Sequence, residues 1–271
     1  MAQALEPFFT HYFPTLRTFW HDDDAAYYYV CVLPTFNTGP TAGGFNWGPG
    51  FIMKYAGPFD NWKKEVIGHE TSHTWIGNKM QLGADSFDNQ WFGEGFNDYV
   101  CLINLAAAGI FGPEAFLEYV NERTLRPHYT SPLRGMPNDS IARNYWRNQH
   151  YQKLPYRRGL LYAFYLDNQV RLASQGEHTL CDVLLALAAR NKELKAKDPE
   201  ATLTVEDFIA VAGRFVPREQ VAREVARHMV QGQPLDFRKI SLIPAFRLTF
   251  DGPVPVLGLA DATALPAVYH W

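Results

Sequence analysis

Gly68-His69-Glu70-Thr71-Ser72-His73-Thr74-Trp75-Ile76-Gly77-Asn78 is the stretch on which the reading of this chain turns. The spacing His69-Glu70-x-x-His73 sets two imidazoles four residues apart. On a helix they stand one turn apart on the same face, close enough to hold a single ion. Glu70 is next to the first of them, where its carboxylate can take a proton from water without itself binding the ion. With 9 histidines in 271 residues, random shuffling yields such a string on the order of 0.01 times. The bland alternative is two surface histidines on an amphipathic helix.

A catalytic zinc ordinarily takes three protein ligands and leaves a position for water, so a third donor is expected from another element. Twenty residues separate His73 from Glu94, in Trp91-Phe92-Gly93-Glu94-Gly95-Phe96-Asn97-Asp98. Glu94 is the candidate third ligand. Asp98 lies four residues further on and projects from the same side of a continuing helix. There it can accept the free N–H of a zinc histidine and hold the ring in the right tautomer. Taken singly, Glu94 also reads as an acid favoured at a helix N-terminus, and Asp98 as part of a solvated face. Together with the motif they point to one Zn2+ per chain, on His69, His73 and Glu94.

Outward from this centre the chain is ordinary in bulk. Apolar residues make up 47% and charged residues 20%, as in a folded globular protein. The net charge of −3 offers no electrostatic reason to expect nucleic acid as a partner. The longest apolar runs are too short for a membrane span. The N-terminus lacks the basic start and apolar run of a secretion signal, so a cytoplasmic protein is expected. Cys31, Cys101 and Cys181 are far apart, odd in number and set in apolar surroundings. They read as small buried hydrophobes and not as a disulfide framework. Aromatics at 15% read first as a large core and second as an aromatic-lined cleft. Nothing in the sequence sets the oligomeric state.

Residues 1–20 suggest a short helix interrupted at Pro14, and 25–34 a strand ending at a proline. Residues 36–50 are crowded with Gly, Pro and Asn and read as a loop, followed by a strand over 51–55. From residue 61 the pattern turns helical, with candidates at 61–77, 90–109, 113–125, 156–174, 179–191, 204–213 and 217–229. The last forty residues become β-rich and Pro-rich again. The order implies an α+β fold, with a small β-rich part over 1–60, a helical part over 61–235 and an extended or β tail over 236–271.

The strings HETSHTWIGN and WFGEGFNDYV resemble the gluzincin pattern of thermolysin-like zinc peptidases, HExxH followed by ExxxD. They are most similar to its aminopeptidase branches, although the interval between the two motifs is slightly longer than is usual in the alanyl-aminopeptidase and leukotriene-hydrolase enzymes. The segment LPYRRGLLYAFYLDNQVRLASQGEHTLCDVLLAL (154–187) resembles the glycyl-aminopeptidase family, whose members carry a PDZ domain. The resemblance spans about residues 40–215. It implies a thermolysin-like catalytic domain over 1–235, with 236–271 a candidate stump of a following domain. It also implies that Tyr156 donates its hydroxyl to a developing oxyanion, a role a phenol can perform. Arg157 and Arg158 replace the family's usual x-Lys and read as a solvated pair or a carboxylate site.

The resemblance further places Gly43, Gly44, Phe45 and Asn46 at the substrate-binding strand edge. Asn46 stands where the aminopeptidase families have the glutamate that grips a substrate's amino group. A neutral amide offers no charge pairing to an ammonium. The implied activity is zinc-dependent hydrolysis of peptide bonds, aminopeptidase-like or on short peptides, with Glu70 as general base. The alternative is a catalytically inactive relative that binds peptides.

Overall fold

The computed structural model describes residues 2–35, 41–84, 87, 89–261 and 264–269. The chain opens with α1 (Ala2–Trp20), followed by β1 (Tyr29–Pro34), β2 (Thr41–Asn46) and β3 (Gly50–Ala56). Next come α2 (Asn61–Ser72), a π-helical turn over Trp91–Phe96 that runs into α3 (Asn97–Ala107), α4 (Pro113–Glu118), α5 (Arg126–Tyr129) and α6 (Asn138–Asn144). The longest helix is α7 (Gln149–Ala173), followed by α8 (Leu180–Lys195), α9 (Val205–Ala212) and α10 (Arg218–Glu224). The hairpin of β4 (Phe246–Asp251) and β5 (Val254–Leu259) and the short α11 (Ala264–Val268) close the chain. The fold is α+β, as the sequence pattern implies. No helix among the described residues is long and apolar enough to cross a membrane.

Helix α1 is not interrupted at Pro14. It carries Pro7 and Pro14 within one continuous run, because Phe8, Tyr12, Leu16 and Phe19 form a buried stripe at helical spacing. Burying four large side chains outweighs a proline penalty of about 3 kcal/mol. Residues 36–40 of the expected loop lie outside the described residues, but 41–46 form strand β2, not loop. β2 pairs antiparallel with β3 in the register Thr41↔Ala56 to Asn46↔Phe51, and β1 pairs parallel with β3 on its other side. The sheet order β1-β3-β2 leaves β2 at an edge. Pairing to a central strand overrides the poor strand propensity of its two glycines.

Helix α2 begins where Asp60 accepts from Lys63 N at 3.1 Å and ends at Ser72, five residues short of the expected 77. The cause is Gly77, at φ +108°, around which the chain turns back. Helix α7 begins seven residues earlier than the expected 156, with Asn148 capping the amides of His150 and Tyr151. Capping boxes at Thr179/Asp182 and Thr204/Asp207 start α8 and α9. The expected helix at 113–125 runs on through a π-helical stretch, Tyr119–Leu125, to Tyr129; the helix at 138–144 is too short to show a period and was not expected.

One apolar core binds these parts. Trp91, Phe92, Phe96, Tyr162 and Phe208 meet mainly edge to face, and Phe246, Val254, Leu257 and Leu265 of the last segments join the same core. Buried Asp167 is fully answered, by Tyr99 Oη at 2.7 Å, Leu180 N at 2.8 Å and Arg171 Nε at 3.0 Å, which ties α3 and α8 to α7. The three cysteines are free, with Cys101 and Cys181 buried and Cys31 partly so.

Candidate metal centre and cleft

The last turn of α2 delivers His69, Glu70 and, at its C-cap, His73. Each imidazole is oriented through Nδ1. His69 Nδ1 lies 2.6 Å from Asp98 Oδ1, and His73 Nδ1 lies 2.9 Å from the Ile76 carbonyl oxygen. Both acceptors take a proton from Nδ1, so the Nε2 of each ring, when that ring is neutral, would turn its lone pair inward. Those Nε2 atoms stand 2.9 Å apart. Glu94 Oε2 completes the group at 3.3 Å from His69 Nε2 and 3.4 Å from His73 Nε2.

Donors on the edges of a tetrahedron around zinc, with bonds of about 2.0–2.1 Å, are about 3.3 Å apart. The observed triangle fits that ion. Glu94 Oε2 is buried, and no imidazole offers it a well-aligned hydrogen bond. Positive charge is favoured at this point, and either a proton on His69 or a bound cation would supply it. Burial works against ionised His69, yet the charge and hydrogen bond of Asp98, with Glu94 adding, hold its pKa well above the usual value. Burial likewise opposes ionised Glu94, but His73 and His69 bring its pKa well below the carboxylate range. Among the described residues, His69, His73 and Glu94 are the group of His, Cys, Asp and Glu side chains able to hold a metal ion.

Glu94 reaches this point from the π-helical turn. The extra residue in a π turn rotates side chains relative to a regular helix, and such turns occur often at functional sites. The turn is pressed against α7: a Cβ on Gly95 would collide with the Gly159 backbone, and one on Gly159 with the Trp91 carbonyl. This glycine contact sets the Glu94 backbone directly beside the helix that carries Tyr156. Asp98 sits on the first turn of α3, and Asn97 beside it donates to the His69 carbonyl at 2.9 Å.

A cleft of about 480 Å³ opens on the centre, lined among others by Gly43, Gly44, His69, Glu70, Asp98 and Tyr156. Glu70 is 8% exposed, and burial raises its pKa against the lowering effect of His69 and His73. The Tyr156 ring lies nearly parallel to His69, with centroids 5.9 Å apart. Burial and then Glu94 push its phenol well above the usual value, so it stays protonated. Lys153, one turn earlier on α7, holds its ammonium 4.3 Å from the Tyr156 ring centre. Lys153 was not singled out from sequence, although the i, i+3 spacing to Tyr156 was there to be read.

The four residues expected at the substrate strand divide. Gly43 and Gly44 face the cleft. Phe45 is 70% exposed and does not line it. Asn46 is spent within the protein. Its amide nitrogen donates to the Glu70 carbonyl at 2.8 Å and to Tyr28 Oη at 3.2 Å, and its oxygen accepts from Gly48 N at 2.9 Å and from Asn78. It is a brace between β2 and the end of α2. Arg158 also differs from expectation: it is 4% exposed, and among the described residues no carboxylate joins it. A second, mainly apolar cavity of about 430 Å³ is lined by residues such as Phe13, Tyr28, Pro49 and Trp75, and none of the metal-site residues borders it.

Among solved structures the chain is similar to the crystal structure of an aminopeptidase N family protein from Idiomarina loihiensis. The two share 16% sequence identity at a TM-score of 0.68, over 86% of this chain and 43% of that one. At that identity the likeness is one of fold, and the chain spans less than half the length of that protein. No protein-family model and no curated protein sequence matches the chain.

Proposed function

We propose that the chain is a zinc-dependent peptidase. The observation that carries this reading is the convergence of His69 Nε2, His73 Nε2 and Glu94 Oε2 within 2.9–3.4 Å, with His69, Glu70 and Tyr156 lining one cleft. The likeness in fold to an aminopeptidase N family protein supports it.

His69, His73 and Glu94 would hold the ion, and Asp98 and the Ile76 carbonyl would keep the imidazoles in the ligating tautomer. The chemistry zinc supplies at such a site is Lewis acidity, which polarises a carbonyl and makes water a nucleophile at neutral pH. Glu70 takes the proton of the attacking water and returns it to the leaving amine. Its buried carboxyl, raised in pKa by that burial, suits both transfers. Tyr156, kept protonated, donates to the oxyanion as charge develops there. The free edge of β2 offers main-chain groups along which a peptide aligns as an added strand.

Asn46 bears on which peptides are taken. With its donors and acceptor oxygen committed to Glu70, Tyr28, Gly48 and Asn78, it does not anchor a substrate's amino group. The reading is therefore of a peptidase that aligns its substrate through the main chain, without an anchor for the amino terminus at this position.

The test pairs elemental analysis with a peptide-library assay on the parent protein and on His73→Ala. One zinc per chain together with cleavage, both lost in the variant, is the expected result. Zinc without cleavage of any peptide would replace the enzyme with a peptide-binding module. Absence of zinc after incubation with excess metal would end the reading altogether.

A further inference from the structure

Helix α7 buries a cation that no carboxylate among the described residues answers. Arg158, two residues beyond Tyr156, is 4% exposed. Its Nη2 donates to the carbonyls of Met136 at 2.6 Å and Arg134 at 3.2 Å. No described acid acts on its charge, and burial alone lowers its pKa, to about 10. Its Nη1 is buried without a partner. His128, 2% exposed, is in the same condition at Nδ1.

Both side chains line one small cavity, of about 10 Å³, together with the apolar Leu161, Met229, Pro234 and Leu235. His228, also on its wall, is already engaged through Nδ1 by the Gln233 carbonyl at 2.7 Å. The guanidinium and the imidazole do not satisfy one another, since both atoms remain unpartnered. The charges felt at His128 are all positive, from Arg158, Arg157 and Arg134, and with burial they keep its ring neutral. A buried charge is ordinarily paired, and a buried N–H ordinarily finds an acceptor. What is missing here is one acceptor with negative charge, small enough for a space of about one water molecule.

We propose that this cavity is a binding site for a small monovalent anion of the chloride class, held by Arg158 Nη1 and by the Nδ1–H of neutral His128. A halide accepts from both donors and brings no proton of its own into an apolar and cationic wall. Water could accept from both donors, but would leave the guanidinium charge uncompensated. The occupant joins α7 to α5 and, through the carbonyls that Arg158 already holds, to the 134–136 turn. It thereby braces the part of α7 that carries Tyr156. The site stands on its own residues and does not depend on the peptidase reading.

The test uses the whole protein without substitution. Crystals grown in sodium bromide should show an anomalous difference peak in the cavity beside Arg158 Nη1. In solution, chloride or bromide should raise Tm to a saturating value compared with methanesulfonate at equal ionic strength. That difference should vanish in Arg158→Met, and if that variant does not fold, in His128→Phe. A water-like peak without anomalous signal at high bromide overturns the proposal. So does equal stabilisation by chloride and methanesulfonate, or halide peaks confined to the molecular surface.

Discussion

Gly44 and Glu70 share one volume: a Cβ on Gly44 would fall 2.5 Å from Glu70 Cγ and 2.7 Å from its Cδ and Oε1. The edge strand β2 and helix α2 approach so closely that the side chain missing from one is replaced by the carboxylate of the other. Gly44→Ala should displace the Glu70 carboxylate while leaving zinc content unchanged. A displacement of this size costs on the order of 100-fold in kcat/KM. Elemental analysis and peptide hydrolysis on the same preparation check both halves, and full activity would show that Glu70 does not act from this position.

Glu70→Gln keeps the shape of the side chain and removes its basicity. Zinc should remain and turnover should fall by about 10²–10⁴-fold, the usual contribution of a general base. Turnover close to that of the parent would take Glu70 out of the mechanism.

Asp98→Asn keeps a polar group opposite His69 Nδ1 but removes the charge that now sits 2.6 Å from it. Zinc affinity should weaken by about 10–100-fold, as for other supports of ligating histidines. Competition with a chelator of known affinity measures this. An unchanged affinity would mean that Asp98 does not orient His69.

Asn46→Asp restores the charge that an amino-group anchor would need, yet it cannot donate to the Glu70 carbonyl or to Tyr28 Oη. Two lost donations at a partly buried position should destabilise the fold by about 1–3 kcal/mol, read as a lower Tm. In the parent, N-acetylated and free-amine forms of one peptide should be cleaved at similar rates. A strong preference for the free amine would show that an amino-group anchor exists elsewhere in the cleft.

Glu65 lines the cleft beside Arg123, and burial pushes its pKa up to about 7. Its folded pKa lies above that of the unfolded chain. Between the ordinary carboxylate range and about 7, folding therefore takes up a proton. The stability it contributes is complete below that range and is lost as pH rises through about 7. Glu65→Gln should flatten this part of the stability profile, as measured by chemical denaturation across the same pH range. A profile identical to that of the parent would show that Glu65 does not titrate in this window.

Some of the molecule was legible because its cause is local. The i, i+4 spacing places His69 and His73 on one helical face, and the same spacing carries Asp98 back beneath Glu94. Thr179 with Asp182 and Thr204 with Asp207 announce helix starts through contacts three residues long. The alternation of β-rich and helical stretches was enough for the α+β class. Where such local signals failed, a distant contact had overridden them. Pro14 argues for a break in α1, but the buried stripe from Phe8 to Phe19 keeps the helix whole. Gly43 and Gly44 argue for a loop, but pairing with Lys54 and Met53 makes them strand.

By itself, then, the sequence determined the candidate ligand set, its helical spacing and the fold class, because periodicity and capping act within a turn or two of backbone. Only the tertiary structure decided that three candidate donor atoms meet at 2.9–3.4 Å, that Gly44 makes room for Glu70, and that Asn46 faces inward. It alone decided that Arg158 is buried without an acid. Each of these depends on where another segment's backbone comes to rest, and burial and close approach are properties of the packed chain that residue order does not carry.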